Sequence, residues 1–360
     1  MKKWIKLIPA LLFFAGFTAC STGDGNDNGS KNIDNKGAYI INYGGYDQAN
    51  ASITKYDTEN NETTKFYYET QNGKQIGGPV QWAYHYDSKV YLTGNNPDQV
   101  LVTDESFTVI DTISENVAKP RTCIADGDNL YISCWGANPD YSAMADSYIL
   151  KYNTLTKTTE KITLAGGPEG LEIANGKLYA ALNYKKEIAV MNLSNQEISY
   201  IETTAASTYF TKDADNNLYV ALIDSYSLPA DKEGLGYINT TTDKLKIYEL
   251  PGISANYVKT IDMSKDGSKV YVTAANYDEA WNLVGGVQAF DVSSETFDSE
   301  PIVSNITGIN GLTVNPNNGD LYVFISNGTV DNGKMQIYTD GKLDSTQEVG
   351  TSPIMAIFID

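Results

Sequence analysis

The residues of this chain that could do chemistry are suited to contact more than to reaction. Between strand-like runs stand Tyr43, Tyr46, Trp135, Tyr141, Tyr184, Tyr226, Tyr277 and Trp281. Asparagines recur where those runs end, at Asn42, Asn95, Asn183, Asn276 and Asn327. Rigid rings supply contact area at low entropic cost, and an amide both donates and accepts hydrogen bonds. Any one of these residues could instead pack under its own loop or cap a strand end; the set as a whole favours binding. Groups suited to catalysis are scarce. His85 is the single histidine, and it falls at the turn end of its strand, where a packed core residue is expected. No Gly-rich phosphate cradle, Cys-x-x-Cys pair or Ser–His pairing stands out, and no acidic turn has the spacing of a calcium loop. No catalytic residue, resident cofactor or metal site is therefore predicted.

These residues must be positioned by a repeat. Seven short runs place a tyrosine among small and aliphatic residues, with the tyrosines at 39, 91, 131, 179, 219, 271 and 322, in steps of 40 to 52 residues. Such a period marks a solenoid, propeller or array. About eight residues before the later tyrosines lies another apolar run: Val80 to Tyr86, Thr122 to Ala125, Gly170 to Ala174, Tyr209 to Thr211, Val258 to Met263 and Gly311 to Val314. Turns such as Asn175-Gly176 and Asp266-Gly267-Ser268 separate the two, as in a hairpin. A third alternating run follows, for example Ile149 to Asn153, and then a more polar fourth, such as Thr108 to Thr112 or Lys244 to Tyr248. Four antiparallel strands repeated seven times predict an all-β, seven-bladed β-propeller. The first tyrosine run has no partner before it, whereas Pro353 to Asp360 is a first strand with nothing after it. Pairing the two would close the ring and remove its open edges.

A four-stranded blade sends the connections after strands two and four to one rim, and the turns after strands one and three to the other. The turn rim holds residues chosen for backbone geometry, such as Asp87-Ser88-Lys89 and Asn317-Asn318-Gly319-Asp320. The long connections, Tyr43 to Ser52, Trp135 to Tyr148, Asp224 to Leu235 and Asn276 to Gly286, carry the aromatic residues. The expected ligand-binding set is thus Tyr43, Tyr46, Asn95, Trp135, Tyr141, Asn183, Tyr184, Tyr226, Asn276, Tyr277 and Trp281 on the loop rim.

The first residues stand apart from the repeat. Lys2, Lys3 and Lys6 precede a short apolar run, Leu7 to Phe17, which reads as a secretory leader rather than a membrane span. Phe17-Thr18-Ala19-Cys20 looks like a bacterial lipobox, which implies residues 1–19 as signal peptide and Cys20 as a lipidated N-terminus. Residues 20–35 are a Gly/Asn/Asp/Ser tether, and 36–360 form the single propeller domain. The formal charge is −19, or −22 once the three leader lysines are removed. So acidic a surface argues against nucleic acid and leaves the lipid as the membrane attachment. Cys123 and Cys134 flank a hairpin whose count sets Cys123 against Ile132; a strained disulfide is open, but two buried thiols fit the count better.

The repeat resembles the YncE-like propellers of many bacterial lipoproteins across residues 36–360. Asp24 and Asp27 after Cys20 resemble the acidic export signals of Bacteroidetes surface lipoproteins. With the loop-rim aromatics and amides, leader, size and blade number resemble the Bacteroidetes lipoproteins that capture vitamin B12. That resemblance implies a surface-exposed outer-membrane protein that binds cobalamin as a transported ligand and passes it to a TonB-dependent transporter. A corrinoid is a large, mostly neutral disc fringed with amides; lacking histidine on this rim, the protein would grip the periphery and leave the cobalt alone. A ferric siderophore and an oligosaccharide are alternative ligands, although a catecholate siderophore would want more cations than Arg121, Lys185, Lys186 and Lys259. A lid or docking platform that binds only protein is the alternative of a different class.

Overall fold

The structure is a computed structural model and describes residues 36–253 and 258–359. Residues 1–35, with the leader, Cys20 and the tether, lie outside the described residues. Seven antiparallel sheets follow one another along the chain, and six of them have four strands. The sixth blade differs: its outer strand comes in two pieces, Thr296–Phe297 and Val303–Thr307, both paired with Leu283–Asp291. A short helix, Tyr67–Asn72, not anticipated from the sequence, joins the first two blades and buries Tyr67 and Tyr68.

Closure occurs as the unpaired ends require. Pro353–Ile359 pairs with Gly37–Asn42 to form the inner strand of blade one. The seven innermost strands touch their neighbours around a full circle, and Pro353–Ile359 contacts both Val80–Tyr86 and Ile309–Val314. Among the described residues every inner strand thus has another on either side, which blunts the edges to which another chain could add.

The core of the described residues lies mostly between blades: six of its buried clusters each come from two neighbouring blades, and the one between blades one and two also takes in Val258. The repeating tyrosines are its wedges. Tyr39 packs 4.7 Å from Phe107 of blade two, centroid to centroid, and Tyr322 packs 5.5 Å from Phe358 of blade one. Tyr179 crosses from blade four to blade five, where its hydroxyl donates to Asp243 Oδ1 at 2.6 Å. Burial of such a ring stabilises the fold by roughly 1.5–3 kcal/mol, and the hydroxyl keeps a partner at the wedge's wet end. Cys123 lies opposite Ile132 as counted, and both thiols are buried and free. Burial pushes Cys134 up to about 12, which leaves it an inert core group. His85 is on the turn rim but is not a core residue: it is about one-third exposed and meets Glu105 at 2.9 Å.

One irregularity recurs and matters for function. In six blades the inner strand carries one extra residue near its loop-rim end. These β-bulges re-aim the side chains beside them. They fall at Gln81, at Arg121-Thr122, at Glu169-Gly170, at Thr208-Tyr209, at Asn310-Gly311 and at Ile354. The bulges of neighbouring blades press together so closely that two of them need glycine. A Cβ on Gly170 would lie 2.3 Å from Thr208 O, and one on Gly311 would lie 2.1 Å from Ile354 O.

Candidate functional site: the mouth of the central channel

The bulged inner strands and two outer loops build a cavity of about 410 Å³ at the loop-rim mouth of the channel. Gln81, Arg121, Asn310 and Ile354 reach it from the bulges, with Ser352 and Val258 beside them. Tyr43, Trp135, Tyr141 and Tyr184 wall it from the loops. Two stacked rings also meet across the channel: Trp82 of blade two and Tyr209 of blade five lie 5.5 Å apart at 13°. Both rings line a smaller chamber of about 160 Å³, together with Lys259 and Asp262.

The aromatic wall is held from beneath. The loop that begins at Trp135 is tied to blade three by Trp135 N to Lys119 O at 3.1 Å and Gly136 N to Ala118 O at 3.2 Å. Asp140 Oδ1 accepts from the backbone N–H of Ser142 at 3.0 Å and of Met144 at 2.7 Å, which fixes the turn that presents Tyr141. Met144 is fully buried under the loop. Tyr184 enters from blade four, where Gly167 at φ +66° leaves the space; a Cβ there would sit 2.8 Å from the ring. Trp135 meets Tyr184 edge-on at 5.6 Å and Tyr141 at 6.3 Å.

Behind this wall lies a buried ion pair. Arg121 Nε donates to both oxygens of Glu169, at 3.0 and 2.9 Å, and Nη2 donates to Oε1 at 2.8 Å. Glu169 also accepts from Tyr209 Oη at 2.8 Å and Asn183 Nδ2 at 3.3 Å. The guanidinium lies over the Trp135 ring at 4.4 Å, a cation–π contact. Burial works against the charge on Arg121, but the Glu169 carboxylate more than offsets it and raises the guanidinium pKa. Burial, then Glu169, pushes Tyr209 well up, and burial raises Tyr43. Both phenols are therefore neutral hydrogen-bonding groups near neutral pH.

The expected site residues divide. Tyr43, Trp135, Tyr141 and Tyr184 converge on the cavity. Asn95 is buried and committed: it accepts from Gln81 Nε2 at 2.8 Å and donates to Asp98 at 3.3 Å. Asn183 is committed through its amide to Glu169. Both stand behind the surface and orient it, and neither lines the cavity. Tyr46 stands outside, half-exposed, with Lys119 Nζ donating to its hydroxyl at 3.3 Å. Tyr226, Tyr277 and Trp281 are exposed and do not line it. The segment from Asn276 to Gly286 is no free loop, because the strands Lys269–Tyr277 and Leu283–Asp291 continue through most of it, pairing Asn276 with Val284 and Tyr277 with Leu283. Trp281 sits in the tip, where Asp278 Oδ1 accepts from Ala280 N and Asn282 N.

Sequence reading missed Gln81, Glu169, Val258, Asn310, Ser352 and Ile354. A signal was present: Pro120-Arg121, Pro168-Glu169 and Pro353-Ile354 repeat a proline just before the bulge. The turn rim carries clefts as well, one of about 530 Å³ between blades two and three and one of about 390 Å³ between blades six and seven. They are edged by turn residues and ion pairs such as Lys157–Asp111, and none has a comparable aromatic wall over a buried charge pair. Among the described residues, no group of three or more His, Cys, Asp or Glu side chains could hold a metal ion.

Comparison with known proteins places the chain. Residues 36–347 match a single family model, described as a domain of unknown function (DUF5074). The chain belongs to the DUF5074 family. No curated protein matches. Among solved structures, a candidate 6-phosphogluconolactonase of Bacteroides fragilis is similar, with a TM-score of 0.63 and 13% identity over 91% of this chain and 99% of that one. The periplasmic gluconolactonase of Pseudomonas aeruginosa gives 0.64 and 12% over 90% and 99%. Dihydro-heme d1 dehydrogenase NirN gives 0.58 and 12% over 88% of this DUF5074 chain and 64% of its own. At such identities the likeness is one of fold.

Proposed function

We propose that this protein captures a corrinoid, cobalamin, at the channel mouth and delivers it to an outer-membrane TonB-dependent transporter. In this reading Cys20 carries the lipid and the propeller faces outside the cell. One observation carries the choice of ligand: the mouth offers aromatic surface and neutral polar groups, while its one charged pair is already neutralised within the protein. That suits a neutral, amide-fringed ligand. A corrinoid is larger than the cavity, so one edge would enter between Trp135 and Gln81 and the rest would spread over the rim. Binding of the intact ligand would therefore use the periphery of the disc.

The charge of each of the four cations named for an anionic siderophore is already paired within the protein. Arg121 pairs with Glu169 at 2.8 Å, Lys185 with Glu187 at 3.8 Å, Lys186 with Asp231 at 2.7 Å and Lys259 with Asp262 at 2.6 Å. An oligosaccharide is the second reading, because Tyr141 is 57% exposed and offers a ring on which a sugar could stack. Lactone hydrolysis, the activity named for two fold neighbours, fits less well. Glu169 is bound to Arg121 of the cavity lining, and its hydrogen bonds with Arg121, Tyr209 and Asn183 occupy the lone pairs a general base would use.

Gel filtration with cyanocobalamin is the test. Co-elution at micromolar concentration is expected, with no turnover of gluconolactone. Turnover without co-elution would replace capture by catalysis, and binding of oligosaccharides alone would promote the second reading. For localisation, Cys20→Ser should release the protein from the membrane fraction, and surface protease should reach the native protein on intact cells.

A further inference from the structure

We propose that the Arg121–Glu169 pair makes the mouth cavity selective for a neutral acceptor oxygen, an amide carbonyl, over a carboxylate. The proposal rests on the corrinoid reading for the identity of the amide, and on geometry alone for the rule. Arg121 is spent on Glu169 through Nε and Nη2. Among the described residues nothing accepts a hydrogen bond from Nη1, and Arg121 is one of the residues that line the cavity. One guanidinium N–H edge is thus left for a ligand oxygen, next to Gln81 and the Tyr43 ring.

A guanidinium would ordinarily prefer a carboxylate. Here its charge is already taken by a carboxylate 1% exposed to solvent. A ligand carboxylate on Nη1 would be a second anion within a few ångströms of Glu169, in a site with little water to screen the two. Like charges so placed disfavour each other's ionised form. Among the described residues that line the cavity, Arg121 is the one cation, and Lys119, Lys185, Lys186 and Lys259 on the same rim are paired with acids of their own. The formal charge of −19 opposes an anion further. A carbonyl oxygen takes the same hydrogen bond without that repulsion. Glu169 therefore acts as the specificity residue although it does not line the cavity, and Tyr209 and Asn183 hold it in place.

The experiment compares cyanocobalamin with its side-chain monocarboxylic acids, in each of which one peripheral amide has been hydrolysed. Calorimetry on the wild-type protein at pH 7.5 (a set condition, about three units above a free carboxyl pKa) should show at least one monoacid bound about tenfold or more weakly than the amide. Glu169→Gln keeps the side chain's shape and removes the charge, so it should narrow or invert that preference. Equal binding of all the monoacids and the amide, or tighter binding of an acid, overturns the proposal, and the wild-type comparison needs no variant to fold. If cyanocobalamin itself fails to bind, the corrinoid reading falls separately. The rule is then read by NMR with N-methylacetamide and acetate as probes. N-methylacetamide should shift the Trp135 indole N–H and acetate should not; a larger shift with acetate would refute the rule.

Discussion

Two groups of aromatic side chains share the loop rim and end in different situations. Trp135, Tyr141 and Tyr184 lie within 6.5 Å of one another and wall a cavity. Tyr226, Tyr277 and Trp281 belong to blades five and six; Trp281 is 80% exposed and touches Tyr277 at 6.0 Å. By residue type the groups are alike. They differ in what lies beneath. The first group rests on Met144, Gly167 and the buried Arg121–Glu169 pair, whereas the second extends from a hairpin and a loop into solvent. An anchor for a ligand needs a rigid, desolvated seat, so rim position alone does not make an aromatic residue part of the site.

Substitutions in the two groups should separate them. The largest effect concerns the frame that holds both groups. Removing Pro353–Ile359 opens the ring, and far-ultraviolet circular dichroism should show cooperative loss of structure; a truncated chain that melts like the full one would contradict closure. Next comes the seat of the first group. Glu169→Ala leaves Arg121 buried and unpaired, which should cost about 3–5 kcal/mol of stability in urea titration. Trp135→Ala should weaken cyanocobalamin binding by about 2 kcal/mol or more, roughly thirtyfold. It should also lower the melting temperature, because Trp135 is only 8% exposed and covers the guanidinium. Trp281→Ala and Tyr226→Ala should change stability and corrinoid binding by no more than about 0.5 kcal/mol.

The smallest effect lies on the opposite rim. Hydrogen bonds from the Ser268 backbone and the Ser264 hydroxyl hold Asp266 down at about 2, against its ordinary 3.8. A carboxylate so depressed contributes stability above its unfolded pKa and loses it as pH falls through the folded one. Asp266→Asn should flatten the acid limb of the stability curve slightly between pH 3.8 and 2, with cyanocobalamin binding near neutral pH unchanged. A change in that binding would mean that the turn rim is part of the site.

Much of the fold was legible in the sequence because its determinants are local and repeated. Tyrosine wedges every 40 to 52 residues, turn residues at fixed offsets and an orphan strand at each end define the blades and their closure. The helix Tyr67–Asn72 was not legible, since a six-residue helix held by packing on Tyr39 and Phe107 has no period of its own. The wall of the site was legible as exposed-looking aromatics on long connections. The bulge residues were not. Gln81, Arg121, Asn310 and Ile354 reach the cavity, with Glu169 buried behind them, because one extra residue per strand shifts their register, and a bulge leaves no mark in hydrophobic alternation. Arg121 and Glu169 stand 48 residues apart and meet only when blades three and four lie side by side. The same ambiguity made Asn276, Tyr277 and Trp281 resemble loop residues, when the hairpin beneath them simply runs longer than its six counterparts.

Ligand capture, as proposed above, would take place on the walled side of the mouth. Calorimetric titration of cyanocobalamin into the wild type, Trp135→Ala and Trp281→Ala proteins tests it most directly. One saturable site is expected, weakened about thirtyfold by Trp135→Ala and left intact by Trp281→Ala. No binding to the wild type, or a loss with Trp281→Ala equal to that with Trp135→Ala, would contradict it.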